Sequence, residues 1–163
     1  MDIESLLSIS PYNWTAIGTS ILCGTIIGLE RQLRGKPVGI RTSSLIVLGT
    51  YVFIASSMMV AADITDPSRI IGQVVTGIGF LGAGVMLSKE GVVIGVTSAA
   101  TIWVLAAIGV CIAVIDSFLA IKIALIVVAI LYGVDLLEGY SSAFTRGVHA
   151  KYSNWRRNGR GRE

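Results

Sequence analysis

The sequence predicts an all-α, polytopic transmembrane helix bundle of about five spans, and three observations carry that prediction. First, 53% of the 163 residues are hydrophobic and only 14% are charged. A wetted globular surface needs roughly a quarter charged residues. Second, the mean hydropathy is +0.77, and the charges fall in short islands between apolar runs. Third, there are nineteen glycines but only three prolines, as expected where transmembrane helices press together.

At about 20 residues per span, five helices and their connections use nearly the whole chain. The first span is expected over about Tyr12 to Leu29, opened by Pro11, Tyr12 and Trp14. The acidic N-terminus, with Asp2 and Glu4, does not read as a secretory signal. A polar island, ERQLRGKPVGIRTSS, follows. The second span covers about Leu45 to Ala62 and closes at Asp63 to Arg69. The third covers about Ile70 to Leu87 and ends at Ser88-Lys89-Glu90-Gly91. The fourth runs from about Gly95 to Ile115, Asp116 and Ser117 mark a tight turn, and the fifth runs from about Phe118 to Leu137. Residues 1–138 are thus read as one transmembrane domain and 139–163 as a basic cytoplasmic tail with no soluble C-terminal domain.

Lysine and arginine fix the expected orientation. With five spans, the first island, the Lys89 loop and the tail share one side with four, one and six basic residues, against Arg69 alone on the other. The positive side is cytoplasmic, so the N-terminus is expected outside. The net charge of +3 is modest and confined to span flanks, so nucleic acid is not an expected partner, whereas membrane lipids are.

Few groups suggest chemistry. Gly77-Ile-Gly79-Phe-Leu-Gly82 spells GxGxxG, but it lacks the preceding strand and βαβ setting of a dinucleotide site. Gly72, Gly77, Gly79, Gly82 and Gly84 are read as helix-packing residues, with a kink that exposes carbonyls to a polar cavity as the sharper alternative. Glu30 and Arg34 are i,i+4 neighbours on a helix continued past Leu29 and are placed to pair. The island then reads as a lipid-anchoring loop, against the alternative that Glu30 turns inward as a ligand or counter-charge.

Asp66 before Pro67 reads as a helix cap, and with Asp63 it has the spacing to attract a divalent cation. Lys122 is expected to snorkel toward Asp116, and Asp135 and Glu138 to reach the inner interface. Thr97, Ser98, Thr101 and Trp103 collect polar groups in span four. Cys23 and Cys111 read as buried thiols, and His149 as a surface residue. No catalytic set assembles, so the chain is expected not to be an enzyme.

The ordered strings GTIIGLERQLRGKPVGIRT and DPSRIIGQVVTGIGFLGAGVMLSKEGVVIGVTSAATIWVLAAIG closely resemble the MgtC/SapB family of bacterial inner-membrane proteins, from about Gly24 to Gly109. The resemblance implies a multi-helix membrane core and adaptation to low Mg2+. For virulence-associated members it also implies growth inside host phagocytes and restraint of the ATP synthase. It does not decide whether Mg2+ itself is bound or moved. The family's polar motif residues correspond here to Glu30, Arg31, Arg34, Lys36, Arg41, Asp66, Arg69, Thr97 and Thr101. Longer members carry a soluble C-terminal domain, which is not expected here after the basic tail of about 25 polar residues.

The reading that follows is a non-enzymatic inner-membrane protein of magnesium homeostasis. It acts by binding membrane proteins, a second copy of itself first, with the ATP synthase among the implied partners. The competing reading is a Mg2+ or small-ion transporter or channel lined by Glu30, Arg34, Thr97 and Thr101.

Overall fold

The structure is a computed structural model that describes residues 8–60, 67–89 and 92–140. Expectations for Asp63, Asp66, Glu90, Gly91, His149 and the basic tail fall outside those residues. The described part is essentially all-α, as the composition predicts, with five helices: α1 (Trp14–Leu33), α2 (Ile40–Val60), α3 (Pro67–Gly84), α4 (Val96–Val114) and α5 (Ser117–Tyr140). Between α3 and α4, β1 (Leu87–Lys89) and β2 (Val92–Ile94) form a small antiparallel hairpin, with Leu87 opposite Ile94. The sequence reading ended a span there in a polar loop.

Local chemistry sets the helix ends. Asn13 caps α1, its Oδ1 accepting from the Thr15 N–H at 2.7 Å. The other end of α1 closes in a Schellman motif: the Gly35 N–H donates to the Gln32 carbonyl and the Lys36 N–H to the Arg31 carbonyl, with Gly35 at φ +62°. Asp116 caps α5 by accepting from the Leu119 N–H at 2.8 Å. Gly95, at φ +91°, precedes α4, and a Cβ there would lie 2.2 Å from the Val85 carbonyl oxygen. Only glycine fits.

In lipid, helices gain little from excluding water from one another, so van der Waals fit between small residues does much of the packing. Gly24 and Gly28 bring α1 onto α2: added Cβ atoms would lie 2.4 Å from the Ser44 Cα and 2.5 Å from the Ile40 Cα. Gly109 does the same for α4 on α2, against Thr50 and the Val47 carbonyl. Around these contacts lie Cys23, Ile27, Val47, Ile54, Ile102, Leu105 and Ile108. From α5, Ala120 and Ala124, one turn apart, are buried, while Leu125, Ile126 and Ile130 face outward.

By length and composition, α2, α4 and α5 can each cross a membrane. In α1 the apolar run ends at Glu30 and Arg31, and in α3 glycines, Gln73 and Thr76 dilute it. At 1.5 Å per residue, the 20 residues of α1 and the 18 of α3 still extend about 30 and 27 Å.

Candidate functional site

The last turn of α1 points charge into the bundle. Glu30 and Arg31 are both buried, with side chains 7% and 4% exposed. Arg31 Nη2 donates to Ser98 Oγ of α4 at 2.9 Å, and Arg31 Nη1 lies 3.9 Å from Glu30 Oε2. One turn further, Arg34 Nε lies 2.8 Å from Glu30 Oε1, a charge contact without hydrogen-bond alignment. Arg34 Nη1 donates to Asp135 Oδ2 of α5, and its guanidinium sits 5.0 Å over the Tyr132 ring.

Three helices therefore meet in a four-charge cluster of zero net charge, two arginines against two carboxylates. Its hydrogen bonding is only partly met: Glu30 Oε1, Glu30 Oε2 and Arg31 Nε have no hydrogen-bond partner among the described residues. Buried polar atoms are usually hydrogen-bonded, and here the two Glu30 oxygens are met by the charges of Arg34 and Arg31 instead.

Of the sequence candidates, the structure gathers Glu30, Arg31 and Arg34. The i,i+4 pair forms as the spacing predicts. The island is not wholly a lipid-anchoring loop, however, because Glu30 and Arg31 turn inward. Lys36 and Arg41 remain exposed, as do Arg69 and Thr97, and none joins the cluster. Thr101 is buried and its hydroxyl donates to the Thr97 carbonyl at 2.8 Å, so it is occupied with its own helix.

Asp135, Ser98 and Tyr132 are the additions. Asp135 was expected to reach the interface; it binds Arg34 instead. A signal for it existed, since the first and fifth spans of the sequence reading end on the same side and cations outnumber acids there. Lys122 also departs from expectation, lying 4.7 Å over the Phe118 ring while Asp116 caps the helix.

The α3 glycines make few close contacts within the described part of the chain. Among the described residues, Cβ atoms on Gly72, Gly77, Gly79 and Gly84 would meet nothing within 4 Å, and the nearest neighbour of one on Gly82 would be Ala99 at 3.7 Å. Within the chain, packing rests on Gly24, Gly28 and Gly109. The helix Pro67–Gly84 is continuous, so the alternative reading of a break in the glycine run is not met. A cavity of about 160 Å³ between α3 and α4 is walled by apolar side chains, among them Ile71, Val74, Val75, Trp103 and Val110.

An all-α bundle with membrane-crossing helices and a buried charge cluster at one end defines an integral membrane protein. The chain belongs to the MgtC family, whose model matches residues 17–140. It is 50% identical over 97 residues to a protein of Escherichia coli (strain K12) named "Putative magnesium transporter YhiD", covering 55% of this chain and 45% of that one. It is 44% identical over 108 residues to "Protein MgtC" of Salmonella typhimurium (strain LT2), covering 66% and 46%. It is 43% identical over 91 residues to "Protein MgtC" of Brucella abortus (strain 2308), covering 56% and 38%. The chain thus spans less than half the length of these relatives. No solved structure matches it.

Proposed function

We propose that this chain is a non-enzymatic, multi-pass inner-membrane protein of magnesium homeostasis that acts by binding other membrane proteins, beginning with a second copy of itself. The observation that carries this reading is the contrast between two sets of glycines. Gly24, Gly28 and Gly109 are in tight contact inside the chain, whereas Gly72, Gly77, Gly79 and Gly84 of α3 present bare backbone to their surroundings. Small residues at helix surfaces in lipid serve close helix approach, and here the approaching helix comes from another protein. Gln73 and Thr76, exposed on the same helix, add polar groups suited to interhelical hydrogen bonds.

The relatives named for MgtC and for magnesium transport support the link to magnesium. The arginine and lysine distribution supports an outside N-terminus and a cytoplasmic tail after residue 138. ATP synthase is one partner to test. Chemical cross-linking in native membranes, compared between the unaltered chain and Gly77→Ile, tests the association: the variant is expected to lose cross-linked species while keeping its thermal stability. Undiminished cross-linking rejects α3 as the contact.

One observation favours a second reading, movement of Mg2+ or another small ion: Glu30 is a buried carboxylate, ion-paired to Arg34 and Arg31, and intramembrane ionisable groups mark ion paths. The apolar cavity and the self-bonded Thr101 weigh against it. Flux into proteoliposomes that disappears in Glu30→Gln would establish transport and displace the binding reading.

A further inference from the structure

We propose that the helix received by α3 is α5 of a second copy, whose outward ridge of Leu125 and Ile126 fills the apolar groove between α3 and α4. The inference rests on the association reading above and names the surface that the second copy brings.

The groove has a volume of about 160 Å³ and is walled by Ile71, Val74 and Val75 of α3 and by Trp103, Ala107 and Val110 of α4. It opens to the surface of the bundle, where Val75 is 41% and Trp103 54% exposed. A cavity of about that size accepts a benzene-sized apolar group. Helix α5 offers groups of that scale, since Leu125 and Ile126 stand exposed on the face away from its buried Ala120 and Ala124.

Copies inserted in one orientation are related by rotation about the membrane normal, and such a rotation preserves depth. A ridge can therefore meet a neighbour's groove only at its own level. The hairpin joins α3 to α4 and a tight turn joins α4 to α5, so the start of α3, the end of α4 and the start of α5 share one side. Val75 lies eight residues from the start of α3, Ala106 eight from the end of α4 and Leu125 eight from the start of α5. At 1.5 Å per residue each is about 12 Å in. The levels match. The flanks differ, because α3 packs on α4 and α2 whereas α5 packs on α1 and α4. The contact is therefore head-to-tail, and each copy keeps a groove or a ridge for the next.

Charge complements the fit on that same side. Arg69, in the first turn of α3, is exposed and forms no ion pair among the described residues. Asp116, in the turn before α5, forms none among them either. Its Oδ2 accepts from the Leu119 N–H, which orients the carboxylate without neutralising it. Lys122, the nearest cation along α5, lies over the Phe118 ring instead. Docking α5 on a neighbour's groove brings Asp116 to the edge that carries the neighbour's Arg69. Two-fold pairing of α3 with α3 would set Arg69 against Arg69.

The test co-expresses two differently tagged full chains, one carrying Val75→Cys and the other Leu125→Cys, and oxidises native membranes with copper phenanthroline. A mixed-tag disulfide dimer is expected, and a chain carrying both substitutions is expected to form a ladder beyond the dimer. Cys23 and Cys111 are buried, and the unaltered chain is the blank for them. Arg69→Glu on the Val75→Cys copy is expected to lower the mixed product roughly two- to fivefold. Asp116→Asn on the other copy, which keeps a capping side chain, is expected to restore part of it.

Val75→Cys pairing only with itself, or Leu125→Cys only with itself, overturns the proposal. An absent mixed product does so as well, the result if a lipid chain or a different protein fills the groove. A ladder that stops at the dimer overturns the head-to-tail arrangement, and a yield unmoved by Arg69→Glu overturns the charge pairing. Amine cross-linking of the unaltered chain in the same membranes separates this inference from the reading beneath it. Oligomers there without the mixed disulfide reject this inference alone, and loss of both rejects self-association too.

Discussion

Arg31 and Ser98, 67 residues apart in the chain, are joined by a buried 2.9 Å hydrogen bond that fixes the end of α1 to the start of α4. Arg31 Nε is already without a partner. Removing the serine hydroxyl leaves a second buried donor unmet, at a cost of about 1–3 kcal/mol for a bond to a charged group. Ser98→Ala is therefore expected to unfold at lower denaturant in mixed micelles than the unaltered chain, with Ser98→Thr intermediate. Equal midpoints for Ser98→Ala and the unaltered chain would show that the arginine finds another acceptor.

The Arg34 contacts differ in depth and should differ in energy. Asp135 is a third exposed, so its pair with Arg34 is screened, and Asp135→Asn is expected to cost no more than about 1 kcal/mol. Arg34→Met also strips the nearest cation from the buried Glu30, and breaking a buried pair from one side costs about 3–5 kcal/mol at full burial. The larger loss is thus expected for Arg34→Met. Adding Glu30→Gln should recover part of it, and a double-mutant cycle by denaturant unfolding measures that recovery.

The bundle was legible in the sequence because its signals are one-dimensional. Apolar runs and the Asp116-Ser117 turn each act within a few residues. The Glu30–Arg34 pair was legible for the same reason, being one helical turn apart. Asp135 and Ser98 were not, since which acid meets which arginine depends on how three helices rotate about their axes. The hairpin at Leu87–Ile94 was hidden by its brevity: three residues per strand leave no alternating pattern to read. The glycines show a further limit. Gly24 and Gly28 pack inside the chain, whereas Gly72, Gly77, Gly79 and Gly84 meet nothing within 4 Å among the described residues, and the presence of glycine in an apolar run does not distinguish the two.

That difference is measurable by adding one methyl group. In Gly28→Ala the new Cβ would lie 2.5 Å from the Ile40 Cα and 2.7 Å from its nitrogen. Backbone cannot rotate aside as a side chain can, so α1 and α2 must part, at a cost of about 1–3 kcal/mol or more. In Gly72→Ala the methyl meets nothing within 4 Å, and alanine is the better helix former by about 1 kcal/mol. Thermal unfolding of the detergent-solubilised variants is expected to show a lower midpoint for Gly28→Ala and an unchanged or raised one for Gly72→Ala. The reverse order would mean that α3, not α1, supplies the chain's internal seam.

The two thiols offer a check on the central packing that needs no substitution of core residues. Cys23 of α1 is 0% exposed and Cys111 of α4 is 5% exposed, and both are free. A maleimide reacts with thiolate in contact with water, and a thiol enclosed by apolar side chains offers neither ionisation nor approach. Neither cysteine is expected to label in the folded, membrane-embedded protein, and both are expected to label once SDS opens the bundle. Leu33→Cys, at a position 78% exposed at the end of α1, provides a thiol expected to react without denaturant. Labelling followed by mass spectrometry assigns each site. If Cys111 reacted as readily as the introduced Cys while Cys23 stayed protected, the end of α4 near Asp116 would be open to water and the seam between α4 and α5 would be looser than its buried alanines imply.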